Sequence, residues 1–335
     1  MLNCKFEVLA RKPFTTMKNI FLKIVILALL AFGWSCGGGN TTNKSTAEKP
    51  AETATTQTPR PQFPLQMPPE DMDREEQIAW LKVHFWDGFD FNDRDFIARA
   101  DTAEMVNAYA LYITLLMDNP RHAAPIDSLI KRATGSRAML DYFAYLSRVV
   151  LNDPNSPLRN DEFYIPVLEA QLASPYYDEY ERIAPEFDLK MARQNRLGQR
   201  ANDIAYTTLG GRTHYMYNIR AEYTLLFISN PGCPMCRDIR EGIQSSPMLN
   251  EMIEQGRLKV LIVHPDADLT EWRNHATEFP KEWIYAYDEG CMIEKSGSYN
   301  LNAIPALYLL DSDKKVLVKD STDIPYIEEI IDRRG

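Results

Sequence analysis

Cys233 and Cys236, in the stretch SNPGCPMCRDIREGIQ (Ser229–Gln244), are the residues of this chain best suited to chemistry. Cysteines at this spacing hold a metal, close a disulfide or pass electrons by thiol–disulfide exchange. Spacing alone leaves all three open. A structural zinc takes four ligands, usually a second CxxC or paired histidines. Here His214, His264 and His275 are scattered singly, so no metal site is expected. A disulfide between positions i and i+3 closes almost no loop and would constrain the unfolded chain little. A redox-inert pair is then the plain alternative to exchange chemistry.

The elements around the pair favour exchange. Tyr223 to Ile228 (YTLLFI) reads as a strand, SNPG as a loop, and Cys233 as the start of a helix. A thiolate rather than a thiol attacks disulfides, and a helix N-terminus favours negative charge. Cys233 is therefore the expected nucleophile. Cys236, one turn further in, would attack the mixed disulfide and release the product. Leu258 to Val263, Ala306 to Leu310 and Val316 to Lys319 read as further strands, with DSDKK turning between the last two. The expectation is a small α/β domain with helices on a mixed sheet.

Ahead of it the periodicity is helical. Ile78, Leu81 and Phe85 recur at three and four residues, as do Met105, Ala108, Tyr109, Tyr112, Leu115 and Leu116, and again Tyr142, Tyr145, Leu146 and Val149. Asn160, with Asp161 and Glu162 behind it, reads as a helix cap. Five or six packed helices are expected, with the aromatic stripes as their core.

The first 70 residues read as addressing rather than fold. Lys18 and Lys23 precede an apolar run, Ile24 to Phe32, too short to span a bilayer and suited to a signal peptide, with Met17 as its expected start. Cys36 follows directly, as a lipidated cysteine would. Residues 37–70 are rich in Gly, Thr, Ser and Pro and cannot bury enough to fold. As a flexible tether they would reach about 30 Å. The net charge of −10 argues against nucleic acid and against an electrostatic hold on anionic lipid.

Taken together, YTLLFI, SNPG, CPMC opening a helix, and Ile304-Pro305 just before ALYLL resemble the thioredoxin superfamily. The lead-in from Asn202 and the segment YDEGCMIEKSGSYNLNAIPALYLLDSDKKVLV are similar to TlpA-like thiol-disulfide oxidoreductases of the cell envelope. HFWDGFDF and NDPNSPLRNDEFYIPVL resemble a domain of unknown function that precedes such modules in Gram-negative lipoproteins. The resemblance implies a cis Ile304-Pro305 bond facing the cysteines, with Ile304's backbone free to bind an extended peptide. It also implies an acid near the site, which Asp266 would supply as a proton relay for Cys236; the competing role for Asp266 is to cap the next helix. Phe227 stands where thioredoxins bury an aspartate. Pro234 and Met235 depart from the usual pair between the cysteines, which leaves the direction of electron flow open. Neither cysteine carries the Pro and Thr/Ser spacing of a peroxiredoxin. Cys291 is a lone thiol, most simply a core residue.

The expected organisation is a signal peptide with its lipid-bearing Cys36 over residues 1–36, a tether over 37–70, an all-helical domain over 71–198 and a thioredoxin-like domain over 199–335. The expected function is disulfide exchange with exported proteins and an envelope redox partner. It would use no cofactor beyond the Cys233–Cys236 pair, in a lipid-anchored protein facing the periplasm, at the outer membrane. The alternative is a non-catalytic scaffold that uses the same fold for docking.

Overall fold

Short polar side chains divide the first half of the chain into helices. Asp73 starts α1 (Arg74–His84) by accepting the N–H groups of Glu75 and Glu76, while Glu76 returns the bond to the Asp73 N–H. Asp93, Asp101, Ser136, Asn160 and Asp178 likewise open α2 (Arg94–Arg99), α3 (Thr102–Leu116), α5 (Arg137–Ser147), α6 (Asp161–Ala173) and α7 (Glu179–Arg193). Each satisfies backbone donors that the first turn leaves without partners. Among the described α-helices of this half only α4 (Ala124–Ala133) lacks a side-chain cap, carrying a proline in its first turn. This is a computed structural model, and it describes residues 60–334. Cys36, the signal segment and residues 37–59 of the expected tether lie outside the described residues.

Among the described residues the α-helices of this half number seven rather than five or six. The six-residue α2 is too short to show a period. Their core is aromatic: Phe85, Trp86, Phe89, Tyr109, Tyr112 and Phe143 are all buried in it, and Tyr109 meets Ser147 Oγ at 2.7 Å. Packing begins before residue 71. Phe63 lies against Phe85, Trp86 and Phe89 at centroid distances of 5.4, 4.9 and 6.4 Å, and Arg60 pairs with Asp101 at 2.7 Å. The last stretch of the expected tether thus belongs structurally with the helices.

The second half is a seven-stranded sheet in the order β2-β1-β5-β4-β3-β6-β7. Its strands are β1 (Ala205–Thr208), β2 (Thr213–Tyr215), β3 (Tyr223–Ile228), β4 (Leu258–His264), β5 (Ile284–Tyr287), β6 (Ala306–Leu310) and β7 (Val316–Ser321). β3, β4 and β5 run parallel. β6 lies antiparallel to β3, and β7 to β6. The β3–β4 connection carries α8 (Pro234–Ser245) and α9 (Pro247–Glu254), α10 (Thr270–Asn274) follows β4, and α11 (Met292–Ser296) follows β5. DSDKK makes the last hairpin, with Asp311 accepting the N–H groups of Asp313 and Lys315 at 2.9 and 2.8 Å. Leu226, Ile228, Leu261, Val263, Ala286, Ala306 and Tyr308 share one face of the sheet with Ile204, Met216, Ile293 and Tyr299. The alternate residues of β3 and β4, Leu225 and Phe227 with Val260 and Ile262, are buried on the other.

Residues 59–322, helices and sheet together, form one unit, and charged pairs join its halves. Arg159 and Asp161, around the start of α6, pair with Asp320 and Lys319 of β7 at 2.5 and 2.6 Å. The Lys319 ammonium also reaches the carbonyls of Ala192 and Gln194 that end α7, at 2.9 and 2.5 Å. All four charged side chains are largely buried. By itself, α12 (Ile324–Asp332) is capped by Asp323 and carries its apolar stripe on Ile324, Ile327 and Ile331. Among the described residues no helix is long and apolar enough to cross a membrane.

Candidate active site

β3 delivers the cysteine pair. Its six residues are all buried, and the chain then leaves the sheet through Ser229–Gly232. Gly232 adopts φ +75°, a conformation that costs glycine least, and this turns the chain into α8. Cys233 is the residue that caps α8, with Pro234 in the first turn. The Cys236 N–H donates to Cys233 Sγ at 3.3 Å. A side chain here receives the unpaired N–H groups of the first turn and the positive end of the helix dipole.

The two thiols differ in setting. Cys233 is half-buried and Cys236 buried, and neither is disulfide-bonded. Burial, together with its hydrogen bond to Cys233, pushes the Cys236 thiol up to about 12, while hydrogen bonds from the Asn230 backbone and the Ser229 side chain pull the other way. Cys236 thus stays a thiol at neutral pH. It cannot attack until something takes its proton.

The Ile304–Pro305 peptide bond is cis. Ala306 stands opposite Ile228 in the β3–β6 ladder, so this bond lies at the sheet end where the cysteine loop emerges. β4 and β5 end on the same side, with Val263 beside Ile228 and Tyr287 beside His264. Asp266 is exposed in the bend after β4. Ahead of α10 it is Asp268 whose carboxylate accepts the Thr270 N–H at 2.9 Å, while Leu269 holds the cap position. Phe227 is fully buried in β3.

Three residues at this end escaped the sequence reading: Gly232, Ser229 and His264. Ser229 is buried at 6% exposure and His264 at 4%. Reading β4 to Val263 stopped one residue short, so the alternation that sends His264 inward was missed. His214 lies on β2 and His275 just after α10. Among the described residues no three His, Cys, Asp or Glu side chains are grouped to hold a metal. Cys291 precedes α11 with φ +53° and is half-buried.

A parallel βαβ core flanked by an antiparallel hairpin, with a CxxC pair at a helix start and a cis X-Pro turn at the same end of the sheet, is the arrangement of thioredoxin-like proteins, and the comparisons agree. A thioredoxin-like protein from Bacteroides caccae is 37% identical, with a TM-score of 0.73 over 80% of this chain and 98% of its own. The chain belongs to this thioredoxin-like family. Residues 35–195 match a family described as Domain of unknown function (DUF5106). The C-terminal domain of an uncharacterized protein from Bacteroides fragilis is 45% identical over 40% of this chain and 96% of its own, with a TM-score of 0.39. The thioredoxin domain of a thiol-disulfide oxidoreductase from Bacteroides vulgatus is 19% identical over 41% of this chain and 98% of its own, with a TM-score of 0.36. Among curated proteins none matches the chain.

Proposed function

We propose that this protein is a thiol-disulfide oxidoreductase that exchanges disulfides with exported proteins through Cys233 and Cys236. One observation carries the reading: Cys233 caps α8 and accepts the Cys236 N–H, while Cys236 lies buried behind it as a thiol. In the exchange, the Cys233 thiolate attacks a partner disulfide, forming a mixed disulfide and expelling one partner thiolate. Cys236 then attacks Cys233 Sγ, closing the internal disulfide and freeing the second partner thiolate. Two cysteines are oxidised and one partner disulfide is reduced to two thiols; run backwards, the same steps oxidise a partner. Ile304, at the cis Pro305 turn, would offer backbone to an extended peptide beside the pair. No other cofactor is required.

The same reading places the protein in the cell envelope, attached through a lipidated Cys36 and facing the periplasm at the outer membrane, where a redox partner would recharge the pair. The reduced full-length chain should reduce insulin disulfides, and its pair should be poised between dithiol and disulfide by glutathione buffers. Absence of both activities would overturn the enzyme reading in favour of a docking scaffold. Replacing Cys36 by serine should move the protein from membranes to the soluble fraction, and retention there would overturn the anchor.

A further inference from the structure

Resting on the exchange reading, one question is how a thiol as buried as Cys236 loses its proton. Phe227 fills the strand position that could have carried an acid, and Asp266 is exposed. Ser229 and His264 remain. The Ser229 N–H donates to the Val263 carbonyl at 3.1 Å, which carries the β3–β4 register one step further and sets Ser229 beside His264. Neighbouring strands lie about 4.8 Å apart, and paired residues of a parallel ladder project to the same face. Phe227 and Ile262, the pair before them, share that face.

The bonding of the imidazole decides its chemistry. His264 Nε2 lies 3.0 Å from the Asp268 carbonyl oxygen. A carbonyl only accepts, so Nε2 carries the hydrogen, and in the neutral ring Nδ1 is left with a bare lone pair. Nδ1 is buried and has no hydrogen-bond partner. Buried polar atoms are nearly always paired, and an unpaired acceptor beside a serine that reaches a thiol is suited to a transient proton. The charged residues bonded to His264 are Asp268, through its carbonyl, and Asp288, whose N–H donates to the His264 carbonyl at 2.8 Å.

We infer that His264 is the proton acceptor for the resolving thiol, reached through the Ser229 hydroxyl. Ser229 Oγ takes the Cys236 proton and, swinging toward His264 Nδ1, which it does not hydrogen-bond at rest, gives up its own hydroxyl proton to that nitrogen. The Cys236 thiolate then attacks Cys233 Sγ in the mixed disulfide, the internal S–S bond forms, and the bond from Cys233 to the partner breaks with the partner sulfur leaving as a thiolate. That thiolate takes a proton from the solvent or from the imidazolium. Ser229 touches the reacting sulfur; His264 acts through it and is a positioning residue.

The test uses 5,5′-dithiobis(2-nitrobenzoate) on the full-length chain carrying Cys4→Ser, Cys36→Ser and Cys291→Ser, so that only the pair reacts. The first thionitrobenzoate released reports attack by Cys233, and the second reports attack by Cys236 on the mixed disulfide. In His264→Gln and Ser229→Ala the second release should slow by about 100-fold at neutral pH, the scale of general-base assistance, with the first unchanged. The defect should close in alkaline buffer, where hydroxide replaces the lost base. Ser229→Ala removes one oxygen, so it tests the path even if His264→Gln folds poorly. An unchanged second release in both variants, or equal slowing of both steps, would overturn the inference and leave the exchange reading standing. No release at all from the parent chain would overturn both.

Discussion

Cys236 is held as a thiol by burial, and that state is linked to stability as well as to chemistry. Its ordinary value of 9.0 rises to about 12 in the folded chain, so between these values the folded state holds a proton that the unfolded state has lost. Stability from this site is complete below pH 9, falls as pH rises, and is gone above about 12. Urea melts of the reduced protein should therefore lose midpoint steadily above pH 9, and Cys236→Ser should remove that part of the slope. The asymmetry of the pair also predicts trapping. Cys236→Ser should accumulate mixed disulfides on Cys233, whereas Cys233→Ser should accumulate none, because the thiol it leaves is buried. Iodoacetamide should label Cys233 before Cys236, and peptide mapping after a short pulse would show the reverse order if the roles are exchanged. The pair and the proline turn were legible because CxxC after an apolar run, and Ile-Pro before one, are local patterns. Ser229 and His264 were not, since their neighbourhood is made by strand register.

At the scale of elements, legibility followed length and burial. β3 and β6, fully buried and five or six residues long, stand out as unbroken apolar runs. β5 is only IYAY, too short to register. The β1–β2 hairpin escaped because all three residues of β2 are exposed, so no apolar period marks it. Among the helices, Asn160 reads correctly as a cap from its type and the acids behind it, and it accepts the Phe163 N–H at 3.0 Å. Asp178 carries more weight at α7, where its carboxylate takes the Tyr180 and Glu181 N–H groups at 2.9 Å each and Glu181 answers at 3.1 Å. Asp178→Ala should cost about 1 kcal/mol by chemical denaturation. A change below a few tenths of a kcal/mol would mean that packing alone sets the start of α7.

At the scale of the molecule, the helices and the sheet should melt together. Arg159→Ala leaves Asp320 with 9% of its side chain exposed and its ion-pair partner gone, a change that costs about 3 kcal/mol when a buried pair is broken. Calorimetry of the parent should show one transition over residues 59–322, and Arg159→Ala should lower it or split it in two. An unshifted single transition would show that the pair does not couple the halves. None of this was legible in the sequence, because Arg159 and Asp320 are charged residues in polar stretches far apart in the chain. The entry of the chain at Phe63 has a mechanical consequence. A pull applied ahead of Arg60 loads the Arg60–Asp101 pair and the ring of Phe63 among Phe85, Trp86 and Phe89. These contacts shear before any strand does, so the first slack comes from the edge of the helical core. β3, which leads into the Cys233 turn, lies off the load path until the helices give way, which lets the thiols keep their geometry under tension.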